Sequence, residues 1–239
     1  MEEVVEDLKK VLIVGVNSKI GSAVLDLYWK QKYICYGTYN KNAPPKDVKN
    51  KCNNILRCDL TQLFGINDLL AFSNKFKPYN IIYLPGYVDN KSLSKNDLQS
   101  MHNSFNVNVF AYWLLISGCI PYMKKKGFGR FLSLSSIGSK FGGGEDKFNY
   151  TTSKRMLEFF PKDFKNIARD NIFLNNIICG ATNTPILKKK NNESIDQRAT
   201  LIPVGRLADP KEIAKCCYQI CSLDNTFQTL SNITIAGGE

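Results

Sequence analysis

Lys10-Val-Leu-Ile-Val-Gly15-Val-Asn-Ser-Lys-Ile-Gly21 decides the fold. The run Lys10–Val16 is short, apolar past its first residue and rich in β-branched side chains, as expected for a strand buried on both faces of a parallel sheet. Gly15 then opens a turn, and Ile20–Lys32 continues with the apolar spacing of an amphipathic helix. A strand that runs through a glycine turn into a helix presents backbone N–H groups, and the positive end of the helix dipole, to a pyrophosphate.

Outward from this unit the two periods keep alternating. Strands are predicted over Tyr33–Thr38, Asn54–Cys58, Asn80–Leu84, Gly129–Ser135, Asn171–Ile178 and Asn232–Ala236. Helices are predicted over Leu60–Phe76, Lys95–Met123, Tyr150–Asp170 and Pro210–Leu223, with Pro161 bending or interrupting the third of these. Alternating β and α elements with short connections imply an α/β fold, a doubly wound and mostly parallel sheet with right-handed crossovers. There is no internal repeat and no linker-like stretch, so residues 1–239 are read as one domain. The polar stretch Lys188–Arg198 marks a lid at about residues 186–202, or an irregular loop.

Bulk properties narrow the function. Hydrophobic residues make up 44% of the chain and charged residues 22%, as in ordinary globular proteins. Met1–Glu6 is acidic and lacks an apolar segment, so no secretory signal is expected and a cytoplasmic location follows. Val107–Met123, the longest apolar stretch, is interrupted by Asn108, Ser117, Gly118 and Pro121, which reads as a buried helix rather than a membrane span. Eight cysteines without CxxC pairs read as reduced thiols, and a single histidine, His102, argues against a metal site. The net charge of +11 is spread over scattered lysines. It suits a solvated surface, or an anionic substrate or cofactor, better than nucleic acid.

The chemistry concentrates in four residues. Asn108, the Ser135-Ser136 pair, Tyr150 and Lys154 follow one another in an order that can move a proton and a hydride across a carbonyl. Spacing alone does not select the last two, because Tyr28/Lys32, Tyr87/Lys91 and Tyr122/Lys126 share it. Context does: Tyr150 opens a helix just after the strand that ends at Ser135-Ser136. A free tyrosine titrates near pH 10, about three units above neutrality. An ammonium one helical turn away, on the same face, would stabilise its phenolate.

At these residues the chain resembles the short-chain dehydrogenase/reductase family, over nearly its whole length. The resemblance implies a single-domain Rossmann-type sheet. The family's phosphate turn is matched by Gly15, Ser18, Ile20 and Gly21, with Lys19 where the family keeps a middle glycine. Asp59-Leu60 stands where the family places an adenine-binding Asp. Pro85-Gly86 stands in the place of its Asn-Ala-Gly, and Gly180, Thr182 and Thr184 resemble the segment that holds the nicotinamide. By the same resemblance Ser136, fourteen residues before Tyr150, polarises the carbonyl, and Tyr150 acts as general acid/base. Lys154 also holds the ribose, and Asn108 anchors a water that connects Lys154 to solvent. Family members that prefer NAD carry an acid at the end of the second strand. Here Thr38, Asn40 and Lys41 occupy that region, which favours NADP, with NAD as the alternative.

The implied activity is NAD(P)-dependent interconversion of a carbonyl and an alcohol. Its substrate would be a 3-oxoacyl-carrier chain, a sugar derivative or a small ketone, which includes anionic and carrier-linked molecules. No nucleic-acid or membrane partner is expected, and the resemblance implies a homodimer or homotetramer, which Pro161 in the partner-facing helix puts in question. The rival reading is a catalytically silent NAD(P)-binding sensor or scaffold on the same fold.

Overall fold

The computed structural model describes residues 6–188 and 195–239. Its sheet has seven parallel strands in the order β3-β2-β1-β4-β5-β6-β7. These are β1 (Lys10–Val14), β2 (Ile34–Tyr39), β3 (Asn54–Arg57), β4 (Asn80–Tyr83), β5 (Gly129–Ser136), β6 (Ile172–Cys179) and β7 (Ser231–Ile235). β1 lies inside the sheet, third from the β3 edge, paired with β2 from Lys10↔Ile34 to Val14↔Thr38 and with β4 from Val11↔Asn80 to Val14↔Tyr83. The strand order therefore reverses beside β1, and the crevice at the carboxyl ends of β1 and β4 is where such sheets bind ligands.

Alternation along each strand builds two cores. Leu12 and Val14 join Tyr36, Ile81, Tyr83 and Phe131 on one face. Helix α3 (Leu63–Phe76) covers that face with Ile66 and Leu69, and α5 (Ala111–Lys126) with Leu115, Ile116 and Met123. Val11 and Ile13 join Cys35, Ile82, Leu132 and Ile177 on the other. There α1 (Lys19–Lys30) contributes Val24, Leu25 and Tyr28, and α10 (Pro210–Cys221) contributes Ile213 and Cys217. The rest of the helical inventory is α2 (Lys46–Lys51), α4 (Leu98–Phe105), α6 (Phe148–Met156), α7 (Lys162–Ile167), α8 (Pro185–Lys188) and α9 (Ile195–Thr200).

Four boundaries differ from expectation. α3 starts at Leu63, because Asp59 Oδ1 accepts from the Thr61 N–H and hydroxyl and holds a turn there instead. α2 was not anticipated: it is a short polar helix with only Val48 buried. The long helix runs as α4 and α5 joined by a π turn over Asn106–Phe110. The helix that opens near Tyr150 ends at Met156, and Pro161 then caps α7. The span 98–126 has the length and composition of a membrane helix, yet half of its most apolar stretch is buried in the protein. Its inward face packs on the sheet. Of the expected lid, residues 189–194 lie outside the described residues, and the flanking parts form α8 and α9.

Candidate active site

The phosphate turn is built by two glycines for different reasons. Gly15 has φ +84°, a conformation that side chains with a Cβ rarely adopt. Gly21 has no room: a Cβ there would lie 2.4 Å from Gly15 O and 2.9 Å from Ser18 Oγ. Ser18 caps α1 by accepting from Gly21 N at 2.9 Å, which is the capping chemistry expected of a hydroxyl at this position. Lys19 is exposed at the first position of the helix, and Ile20 lines the adjoining cavity.

Thr38 lies near the end of β2. It is 2% exposed. Its Oγ1 accepts from Gly15 N at 3.3 Å, and its carbonyl accepts from Gly15 and Val16 N. Thr38 therefore braces the turn from beneath and presents no hydroxyl to a ribose. Asn40 and Lys41 beyond it are exposed. Arg57, which sequence reasoning passed over, donates from Nε to Asn40 O at 3.2 Å and adds a second cation to the corner held by Lys41. Asn40 Nδ2 donates to Asp59 Oδ1 at 3.3 Å. Leu60 points its side chain into the core, so only its backbone can meet a ligand.

A cavity of about 380 Å³ opens where β4, β5 and β6 end, and Gly86, Ser136, Tyr150, Lys154, Gly180, Thr182 and Thr184 all line it. Tyr150 and Ser136 are joined by a side-chain hydrogen bond. The neighbouring serine goes elsewhere: Ser135 Oγ donates to Lys154 O at 3.0 Å and Glu158 Oε1 at 2.7 Å. Opposite faces of one strand thus separate the two hydroxyls. Gly86 leaves the approach open, since a Cβ there would come no nearer than 3.9 Å to Lys154 and 4.0 Å to Tyr150. Gly180 packs tightly, and a Cβ there would lie 2.5 Å from Ala236 Cα. Thr182 Oγ1 donates to Gly180 O at 3.0 Å, and Thr184 N donates to Thr182 O at 2.7 Å.

Lys154 is 3% exposed. Its ammonium donates to Pro85 O at 2.9 Å and Leu134 O at 2.7 Å, which bolts the helix to the ends of β4 and β5. Burial pushes the Tyr150 phenol above the ordinary tyrosine range, and the Ser136 hydrogen bond brings it only part of the way back. At neutral pH the phenol is therefore protonated.

Asn108 is held from several sides. It is fully buried in the π turn. Its Oδ1 accepts from Tyr87 N at 2.7 Å, while Nδ2 donates to Tyr87 O at 3.0 Å and Ser153 Oγ at 2.8 Å. Both amide donors are used, so the side chain splices the long helix to the loop after β4 and to the Tyr150 helix. Sequence reasoning also missed Glu158. Its carboxylate, 7% exposed, accepts from Ser135 and Ser139 and pairs with Arg155. It thus ties the segments on both sides of Ser136 to the turn that follows the Tyr150 helix.

Comparison with known proteins agrees with this geometry. The profile of the family described as Enoyl-(Acyl carrier protein) reductase matches residues 15–239. The chain is 26% identical over 190 residues to the 2-keto-3-deoxy-L-fuconate dehydrogenase of Xanthomonas campestris pv. campestris, and that match spans 74% of this chain and 63% of the relative. It is 22% identical over 241 residues to the 3-oxoacyl-(acyl-carrier-protein) reductase of Vibrio cholerae, covering 96% of each. Among solved structures, a 3-oxoacyl (acyl-carrier-protein) reductase from Agrobacterium tumefaciens with NADP bound superposes with a TM-score of 0.86 at 19% identity, over 98% of this chain and 97% of that one.

Proposed function

The chain belongs to the short-chain dehydrogenase/reductase family, and on that premise we propose that it interconverts a carbonyl and an alcohol with NADP. The observation that carries this reading is the Ser136–Tyr150 hydrogen bond inside a cavity whose wall also holds Lys154.

The cofactor fits the residues present. The Gly15–Gly21 turn at the start of α1 is a cradle that a side chain would fill, and Gly86 leaves a flat wall beside Tyr150. Gly15, Ser18, Lys19 and Gly21 would hold the pyrophosphate, and Gly180, Thr182 and Thr184 the nicotinamide end. Asp59 would meet the adenine. The 2′-phosphate of NADP suits Lys41, just past the end of β2, which carries no acid, and Arg57 at the end of the neighbouring β3. The relative crystallised with NADP supports that choice.

When bound, the dinucleotide supplies or accepts the hydride. The chain handles the proton. In reduction, Tyr150 Oη donates its proton to the carbonyl oxygen as hydride arrives at carbon, so a ketone, a hydride and a proton become a secondary alcohol. Ser136 Oγ donates a hydrogen bond to the same oxygen and stabilises its developing charge. Lys154, fixed by Pro85 and Leu134, places its charge beside the ribose and the phenol. Asn108 positions this helix through Ser153. A 3-oxoacyl thioester, a sugar derivative and a small ketone are the substrate classes compatible with the relatives.

Purified protein with NADPH deuterated at the nicotinamide C4, offered a panel of these carbonyl classes, tests the proposal. Deuterium at the new carbinol carbon supports it. Tight NADPH binding with no product across the panel refutes it in favour of a silent cofactor binder.

A further inference from the structure

The proposed hydride chemistry leaves one buried cation of the cavity wall without a task. Lys147 is 7% exposed, lines the cavity and stands three residues before Tyr150. Its ammonium donates to Asp146 and to Asn90 Oδ1 at 2.6 Å. An ammonium has three donors, and the described residues take up two of them. The stem is boxed in, since Cβ atoms placed on Gly143 and Gly144 would lie 3.4 and 3.9 Å from it. The Lys147 backbone bridges to Lys91, which ties the loop after β4 to the mouth of the site.

Arg198, on α9, lines the same cavity and gives one guanidinium donor to Glu239. The charged lining is therefore Lys147, Lys154 and Arg198 against Asp146 among the described residues. Lys154 is committed to two carbonyls. The one acid, Asp146, keeps about half of its side chain in water, so it compensates Lys147 only in part. A buried ammonium is expensive unless fully paired, and an anion entering the cavity would complete that pairing.

We propose that the substrate is an oxo acid, or the corresponding hydroxy acid, whose carboxylate is bound by Lys147, with Arg198 adding a second positive charge from α9. This inference rests on the carbonyl–alcohol reading and names its substrate class. Lys147, Ser136 and Tyr150 line one cavity, so a carboxylate at Lys147 and a carbonyl at Tyr150 can belong to one molecule.

The test is NADPH oxidation with a series of C4–C8 2-oxo and 3-oxo acids, each measured against its own methyl ester, in wild type, Lys147→Met and Lys147→Arg. Loss of one charge-assisted hydrogen bond corresponds to roughly tenfold to a hundredfold in kcat/KM. The acids should lead their esters by that factor, Lys147→Met should erase the lead while leaving ester turnover in place, and Lys147→Arg should restore part of it. Esters turned over as well as acids, or a lead that survives in Lys147→Met, overturn the inference while leaving the carbonyl–alcohol reading intact. If Lys147→Met fails to fold, the wild-type comparison decides alone. NADPH binding with no turnover of acids, esters or 3-oxoacyl thioesters overturns the underlying reading as well.

Discussion

Replacing Glu158 with alanine should loosen the active site without touching a reacting atom. The carboxylate accepts from Ser135 and Ser139, on both sides of Ser136, and pairs with Arg155. Hydrogen bonds to a charged group are worth about 1.5–3 kcal/mol each, against about 0.5–1.5 kcal/mol for neutral ones. In Glu158→Ala both hydroxyls keep a second acceptor, Lys154 O at 3.0 Å for Ser135 and Ser136 O at 2.7 Å for Ser139. Each exchange of a charged for a neutral partner then costs about 1–1.5 kcal/mol. The Arg155 pair adds at most about 1 kcal/mol, since that guanidinium is 64% exposed and screened by water. The expected destabilisation is about 2–4 kcal/mol, read as a lower urea midpoint at unchanged slope. Glu158→Gln also exchanges the charged acceptor for a neutral one at both serines, so it should lose about as much. The displaced Ser136 should lower kcat by up to about 100-fold with NADPH affinity unchanged. A midpoint for Glu158→Ala within about 0.5 kcal/mol of wild type, the scatter of ordinary surface substitutions, would refute this reasoning.

Other perturbations follow from the same geometry. Gly21→Ala places a methyl 2.4 Å from Gly15 O, so it should cost about 1–3 kcal/mol of stability and abolish NADPH binding by fluorescence titration; normal binding would mean that the turn is not the phosphate site. Lys41→Glu should weaken NADPH more than NADH, and equal losses would remove the case for a 2′-phosphate at this corner. Carbonyl reduction needs protonated Tyr150, so its rate should hold through neutral pH and fall as pH rises through the phenol's pKa, while alcohol oxidation rises over the same range. Ser136→Ala removes the bond that pulls this pKa down and should move the alkaline limb of the kcat–pH profile to higher pH; an unmoved limb contradicts the assignment.

Much of this arrangement was legible in the chain because parallel strands buried on both faces read as continuous apolar runs. The seven strands fall where those runs fall, within one or two residues at their ends. Ser136 was separable from Ser135 by its spacing to Tyr150, and strand alternation is the physical reason it points to the cavity. The π turn at Asn106–Phe110 was not legible, since one inserted residue leaves the apolar pattern almost unchanged. The bond from Gly15 N to Thr38 Oγ1 was not legible either, because polarity at a strand end does not show that the hydroxyl serves the neighbouring turn. The ties from Lys154 to Pro85 and Leu134 depend on contacts across 69 and 20 residues, which local spacing does not report. The buried Glu158 hid among ordinary helix-surface charges, because no local pattern marks a carboxylate that folds inward.

The proposed reaction draws its proton from the Tyr150 phenol, and Tyr150→Phe, assayed with NADPH and a turned-over carbonyl, removes that proton alone. This variant should bind NADPH as wild type does while turnover falls by about 10²–10⁴-fold, the contribution of a positioned general acid. Turnover within a factor of about three of wild type would contradict it.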